Sequence, residues 1–304
     1  MILLKQMLVL FLLMLVGVCC RKCGIFNDEG NKRISSLVVN VANPALILSS
    51  GINQEAVISG MEFVKTFALA WMMFGVLMIL AHFVPRILKA DISEYGTYKA
   101  MTIFSNIGFM GYPVIAALFG TEALLYASLF LIPFNVLIYT YGISVMKRQR
   151  EKTGFRIRKA LNMGVISCVL TLIIYLIELP VPVIVENAVD SLSGLTAPLS
   201  MMVIGDSLTK INLKKLFCNV RMLVFSGIKL LLIPIVGVGF IKLLGLNSML
   251  TGVCMIMLST PVGSMTAMLA QEYDGDYELA SQGVTITTML AVITMPLIAM
   301  IFGI

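Results

Sequence analysis

The chain has 304 residues, of which 59% are hydrophobic and only 12% are charged, and its formal net charge is +6 at pH 7. A soluble domain is typically about 45–50% apolar and about 25% charged, so this composition excludes an ordinary soluble protein. Long apolar runs recur along the whole sequence, which predicts an all-α integral membrane protein with no segment large enough for a separate soluble domain.

Apolar runs between polar breaks predict ten membrane-spanning helices, because about 20 residues cross the hydrocarbon core. The predicted spans cover residues 3–19, 35–51, 63–84, 99–119, 123–146, 161–178, 182–206, 221–243, 248–270 and 279–303. Span 1 resembles the apolar part of a signal peptide, but the CCRKCG segment after it lacks a small-x-small cleavage site, so we retain it as a span. We interpret its cysteines as juxtamembrane thiols, with metal binding or acylation as alternatives.

Basic side chains are concentrated in alternate connections between the predicted spans. The connections after spans 1, 3, 5 and 7 hold most of the 22 Lys and Arg residues, whereas the connection after span 9 contains the acidic stretch EYDGDYE. Basic connections lie in the cytoplasm. We therefore predict a multi-pass plasma membrane protein with both termini outside. Because membrane topology accounts for the positive charge, we expect lipid around the protein and no nucleic-acid partner.

The basic connection after span 5 divides the chain into two sets of five spans, residues 1–146 and 161–304, with the connection itself at 147–160. An odd number of spans in each half makes one half an upside-down counterpart of the other, which is the inverted-repeat pattern of secondary transporters. Prolines support this relation, because they occur within spans 2 and 7, 4 and 9, and 5 and 10.

Spans 4 and 9 contain helix-breaking residues at corresponding places. Span 4, SNIGFMGYPVIAALFG, carries Gly108, Gly111 and Pro113, and span 9 carries Pro261 and Gly263 in STPVGSM. Backbone groups freed by a break cost several kcal/mol each in lipid, so irregular chain is tolerated only inside protein or beside a wet cavity. Freed N–H groups also attract anions. Matching breaks therefore predict a substrate site, with a kink that only shapes packing as the alternative.

Longer stretches around these breaks resemble the auxin efflux carrier family, which includes plant PIN-type carriers and bacterial malate permeases. The stretch NIGFMGYPVIAALFGTEALLYASLFLIPFNVLIYTYGISVM is similar to the family's fourth and fifth spans, NVANPALILSSG to its second, and STPVGSMTAMLAQEYDGDYELASQGVTITTMLAVITMPLI to its ninth and tenth. The resemblance implies two inverted five-helix repeats, with a scaffold part and a transport part that moves like an elevator. The long cytoplasmic loop of many plant members is absent, so their phosphorylation control is not implied.

The resemblance also implies that the fourth and ninth helices are interrupted and cross at Pro113 and Pro261, and that Asn106 contacts the substrate. An amide offers two donors and an acceptor to a carboxylate, although an interhelical hydrogen bond is the alternative. Ser and Thr near the breaks also bond commonly within their own helix. The predicted substrate-binding residues are Asn106, Gly108, Gly111, Pro113, Asn135, Asn162, Ser259, Thr260, Pro261 and Gly263.

Two charged residues inside predicted spans are candidates for coupling transport to an ion gradient. Lys229 lies about two turns into span 8, and Asp206 lies near the cytoplasmic end of span 7. Charges inside a membrane are functional hypotheses by default. The two residues could form a pair or a proton-linked switch, and the alternative for Lys229 is that its long side chain extends to the membrane surface.

The sequence contains no enzyme signature, since it has a single His and neither a P-loop nor a G-x-S-x-G motif. We expect no cofactor and no metal site. The function predicted is a secondary transporter of small organic anions such as malate or auxin-like carboxylates, with a proton or sodium ion as a possible coupling ion and a homodimer left open. The alternatives are a non-transporting membrane sensor or scaffold with the same fold, or a carrier of another solute class, such as a cation that Asp206 coordinates.

Overall fold

The computed structural model describes residues 2–52, 60–120, 122–146, 163–177, 179–209, 218–273 and 275–303. These residues are almost entirely helical, with no β-strand among them beyond one isolated bridge. The α-helices are α1 Ile2–Lys22, α2 Asp28–Leu37, α3 Asn43–Ile52, α4 Gly60–Ile87, α5 Tyr95–Ile103, α6 Tyr112–Phe119, α7 Ala123–Leu137, α8 Ile143–Met146, α9 Met163–Ile177, α10 Val183–Ser193, α11 Thr196–Leu208, α12 Val220–Gly227, α13 Ile233–Leu243, α14 Ser248–Ser259, α15 Ser264–Glu272 and α16 Tyr277–Phe302. π-Helical segments lie between some of them, at Val38–Ala42, Ile107–Gly111, Ile138–Gly142 and Ile228–Leu232.

Every predicted span overlaps one or two of these helices. By length and composition, five helical stretches in the described part of the chain could each cross a membrane: Gly60–Ile87, Ala123–Met146, Val183–Leu208, Val220–Leu243 and Tyr277–Phe302. Two shorter apolar stretches, Ile107–Phe119 and Ser248–Ser259, belong to the predicted broken spans 4 and 9. The chain is therefore an all-helical, multi-pass membrane protein. The predicted basic connection at 147–160 lies outside the described residues.

The chain forms two compact units, and each unit combines segments from both predicted halves. The first unit consists of Met1–Ala68, Gly108–Asn135 and Arg158–Lys210, and the second consists of Leu69–Ile107, Val136–Ile157 and Ile211–Ile304. The units are a division by packing, whereas the predicted repeats at 1–146 and 161–304 are a division by sequence. The repeats therefore remain a prediction.

Close contact between α1 and α11 organises the first unit. A Cβ atom at Gly17 would overlap the backbone of Met202, and one at Gly205 would overlap the carbonyl oxygen of Met14. Small residues let helix backbones approach in this way inside membranes, where packing rather than hydrophobic burial drives helix association. The sequence therefore brings two helices far apart in the chain into direct backbone contact.

The second unit has a core of apolar side chains from α4, α5, α12, α16 and the segment between α14 and α15. The rings of Tyr98 and Phe225 meet edge to face, with 5.4 Å between their centroids. The buried members of this core are Val84, Leu88, Tyr98, Met101, Met222, Phe225, Val262, Leu279, Val284 and Ile286. Val262 belongs to the break between α14 and α15, so the core of this unit supports the predicted site directly.

Candidate functional site

The break in span 9 follows from its proline. Helix α14 ends at Ser259, and Thr260 adopts an extended conformation with φ −64° and ψ 145°. A residue that precedes proline is disfavoured in the helical region because the proline ring clashes with its backbone, which accounts for the end of the helix directly before Pro261. The next helix, α15, begins at Ser264. The predicted break residues Pro261 and Gly263 thus lie in the non-helical linker.

The break in span 4 lies earlier than its glycines and proline suggest. Helix α5 ends at Ile103, and Phe104 is extended with φ −95° and ψ 94°. The chain becomes helical again in the π-helical segment that contains Gly108 and Gly111. Pro113 directly follows this π-helical segment, as the second residue of α6, where its missing N–H removes one potential helical hydrogen bond. The three predicted breakers therefore begin the second half of the span, and they belong to the first unit.

Within the second unit, the two breaks pair with each other through their backbones. Ser105 and Val262 form an isolated antiparallel bridge. The bridge is flanked by two hydrogen bonds, one from the Asn106 N–H to the Pro261 carbonyl at 2.7 Å and one from the Gly263 N–H to the Phe104 carbonyl at 2.9 Å. We call this pairing the crossover. It satisfies backbone groups that would otherwise be costly in a membrane interior.

Gly263 permits the close approach of the two chains at the crossover. A Cβ atom at this position would lie 3.0 Å from the carbonyl oxygen of Ser105 and 3.2 Å from that of Phe104. Both distances are shorter than ordinary van der Waals contacts, and both involve backbone atoms, which cannot rotate away. The glycine is therefore explained by the short distance between the chains.

Helix α16 holds the crossover from one side. The Val262 N–H donates a hydrogen bond to the Thr287 hydroxyl at 3.0 Å, and that hydroxyl donates to the Gly283 carbonyl at 2.6 Å. Both Val262 and Thr287 are fully buried. Thr287 thus links the non-helical segment of span 9 to span 10.

Two predicted substrate-binding residues carry a buried polar atom with no hydrogen-bond partner among the described residues: Asn106, whose Nδ2 belongs to the crossover segment, and Ser259, whose Oγ lies at the end of α14. The Asn106 residue is only 4% exposed. The Thr260 hydroxyl, by contrast, donates to the Met257 carbonyl in its own helix at 2.9 Å. Of the polar candidates in the second unit, Asn106 and Ser259 therefore have donors available for a ligand.

A buried lysine contacts the same segment. Nζ of Lys229 donates to the Thr102 carbonyl at 2.9 Å and to Oγ of Ser105 at 2.6 Å. Lys229 is 1% exposed, so its side chain remains in the interior of the second unit. The ammonium group thus contacts the residue that immediately precedes Asn106.

The other predicted charge, Asp206, belongs to the first unit and has its own partners there. Its carboxylate accepts a hydrogen bond from the Asn31 amide and lies 3.6 Å from Nε of Arg21. Asp206 and Lys229 therefore each have polar partners within their own unit. No group of three or more His, Cys, Asp or Glu side chains that could hold a metal ion occurs in the described ranges.

The remaining predicted residues take no part in the crossover pairing, or they lie outside the described chain. Asn135 donates to the Leu131 carbonyl at 2.8 Å in its own helix. Gly108 faces Asn43, whose Nδ2 would lie 3.3 Å from a Cβ atom at that glycine. Asn162 lies outside the described residues.

The sequence interpretation missed Ser105 and Thr287, both of which contact the crossover. Ser105 directly precedes the predicted Asn106, and its position in the motif could have indicated a role. Thr287 occurs in the apolar stretch GVTITTML of span 10, where no spacing or composition signal separates it from its neighbouring threonines.

Comparison with known proteins identifies the family of the chain. The chain matches the family described as membrane transport protein over residues 2–157 and 155–299. It is 26% identical over 296 residues to an uncharacterized transporter of Methanothermobacter thermautotrophicus, covering 96% of each chain. It is 24% identical over 299 residues to an uncharacterized transporter of Methanocaldococcus jannaschii, covering 95% of this chain and 96% of the relative. The chain therefore belongs to the membrane transport protein family, the family of the auxin efflux carriers.

Proposed function

We propose that the protein is a secondary carrier of small organic anions, such as malate or another carboxylate, and that it binds them at the crossover of the second unit. The observation that carries the proposal is the buried amide nitrogen of Asn106, which has no hydrogen-bond partner among the described residues. A buried donor without a partner costs about 1–3 kcal/mol. A carboxylate oxygen at this position would remove that cost, because an ionised carboxylate is a strong hydrogen-bond acceptor.

The charge distribution of the second unit favours an anion over a cation. The Lys229 ammonium donates to Ser105, the residue next to Asn106, and in the described chain no acidic side chain forms an ion pair with it. A cationic solute at Asn106 would be repelled by this charge, whereas an anion would be attracted. The neutral donors of Asn106 and Ser259 would then orient the anion without the desolvation cost of a direct ion pair.

The family relationship supports transport, since both relatives are described as transporters. We infer a carrier driven by an ion or membrane-potential gradient, because the sequence contains no P-loop. We also propose an elevator-like movement, a location in the plasma membrane with both termini outside, and a homodimer. A proton or a sodium ion is the proposed coupling ion.

The proposal is tested in two steps with purified protein. A thermal-shift screen of carboxylates first identifies compounds that stabilise the wild-type protein. Counterflow of a labelled hit, with malate as the first choice, is then measured in proteoliposomes. We expect Asn106→Ala to abolish counterflow and to remove the carboxylate-dependent thermal shift.

The matched control is Asn187→Ala, which removes an amide from an exposed position on α10 and should leave both signals unchanged. Normal counterflow in the Asn106→Ala protein would refute the site assignment. A wild-type protein that is stabilised by carboxylates but moves none of them would instead favour a non-transporting sensor.

A further inference from the structure

The burial of Lys229 costs free energy, and a role in anion transport does not account for how that cost is offset. The residue lies in the π-helical segment Ile228–Leu232 and is 1% exposed. Within the described residues no carboxylate forms an ion pair with its Nζ. A buried charge is costly unless polar partners compensate it, so the groups around Nζ must supply that compensation.

Those groups are oxygen atoms at the end of a half-helix. Thr102 lies in the last turn of α5, at the negative end of the helix dipole, and the Asn106 N–H that a continued helix would direct to its carbonyl donates to Pro261 instead. Its carbonyl oxygen and the Ser105 hydroxyl oxygen both accept from Nζ. Unwound carbonyl groups and C-terminal ends of half-helices are also the groups that coordinate sodium ions in transporters with broken helices.

We infer that the Lys229 ammonium is a tethered cation: it occupies a site for a monovalent metal ion at the C-terminal end of α5 and thereby stabilises the first chain of the crossover. The ammonium and a sodium ion carry the same charge and use the same kind of oxygen ligand. The protein therefore requires no dissolved cation at this position, and shortening the side chain creates a site for one. This inference goes beyond the proposed function, because it involves no transported solute.

The test measures thermal unfolding of the full-length protein in detergent, without any substrate. Wild type, Lys229→Ala and Lys229→Met are compared in NaCl, KCl and choline chloride at equal ionic strength. Wild type should unfold at the same temperature in all three salts. Lys229→Ala should unfold earlier in choline chloride and should recover with added sodium, saturably and by about 5 °C. Lys229→Met should be destabilised without recovery, because its apolar side chain fills the space and binds no cation.

A double variant, Lys229→Ala with Ser105→Ala, removes one proposed oxygen ligand. It should need at least about tenfold more sodium for half-maximal recovery, equivalent to the loss of about 1.4 kcal/mol.

The inference is overturned if sodium raises the unfolding temperatures of Lys229→Ala and Lys229→Met equally. It is also overturned if exchanging choline for sodium raises the unfolding temperature of wild type as much as that of Lys229→Ala. A Lys229→Ala protein whose unfolding temperature in saturating NaCl stays at its value in choline chloride also overturns the inference, because sodium is expected to replace the ammonium. Because these measurements contain no substrate, none of these results would argue against the proposed anion site.

Discussion

Replacement of Thr287 by valine tests whether a side-chain hydroxyl holds the crossover. Valine keeps the branched shape of threonine and removes only the oxygen, so the packing of α16 changes little. The Thr287 oxygen accepts from the Val262 N–H at 3.0 Å. In the variant this N–H would be left without its partner in a fully buried position.

The structure sets the size of the expected effect. Leaving a buried donor unsatisfied costs about 1–3 kcal/mol. The Gly283 carbonyl also loses the hydroxyl as a donor, but it belongs to the helical hydrogen-bond pattern of α16 and is less affected. We therefore expect Thr287→Val to lower the melting temperature by about 5 °C, given that about 1 kcal/mol corresponds to about 2–4 °C in a large domain.

The more specific measurement is amide hydrogen exchange of the peptide that contains Val262. A loss of about 1.4 kcal/mol or more in local stability corresponds to at least about tenfold faster exchange. Thr287→Ser is the matched control, because it keeps the hydroxyl and loses only a methyl group. Exchange that accelerates as much in the serine variant as in the valine variant would refute the reasoning, since the methyl contact rather than the hydrogen bond would then hold the crossover.

Two further predictions concern packing and orientation. Gly205→Ala should lower the melting temperature, because the new Cβ would overlap the Met14 carbonyl and overpacking costs about 1–3 kcal/mol. The control is Gly227→Ala, because a Cβ atom at Gly227 would meet nothing within 4 Å. Equal melting temperatures of the two variants would contradict the close contact of α1 with α11. The exposed thiols of Cys23 and Cys218 should react with a membrane-impermeant maleimide only in permeabilised cells, because the predicted topology places both in the cytoplasm. A cysteine at the exposed Leu179 should react in intact cells, and labelling of the unmodified protein from outside would reverse the proposed orientation.

The helices and the span 9 break could be predicted from sequence because each depends on local chemistry. Apolar length determines the helical segments, and Pro261 forces an extended conformation on the residue before it. The position of the span 4 break could not be predicted in the same way. Gly108, Gly111 and Pro113 all lie within the helical run that begins at Ile107, so their presence does not define where the preceding helix ends.

The groups that hold the crossover could not be predicted because they depend on tertiary packing. Helix α5 ends at Ile103, just before the segment that pairs with the chain around Val262, and no residue type at 103 or 104 prohibits a helix. Thr287 likewise has the local sequence of any threonine in an apolar helix. Lys229 was recognisable as an intramembrane charge, but its contact with Ser105 joins residues more than a hundred positions apart.

Ser105 takes part in both proposals, and its contact with Lys229 would account for the use of neutral donors at the proposed anion site. The Ser105 hydroxyl accepts from Nζ of Lys229, whereas Nδ2 of the neighbouring Asn106 has no hydrogen-bond partner among the described residues. An anion at Asn106 would then be attracted by the Lys229 ammonium, whose own hydrogen bonds go to Thr102 and Ser105. Because Coulomb attraction falls with distance, this attraction would be weaker than that of a direct ion pair. An attraction of this kind would concentrate anions at the proposed site and still permit their release, as the proposed carrier function requires.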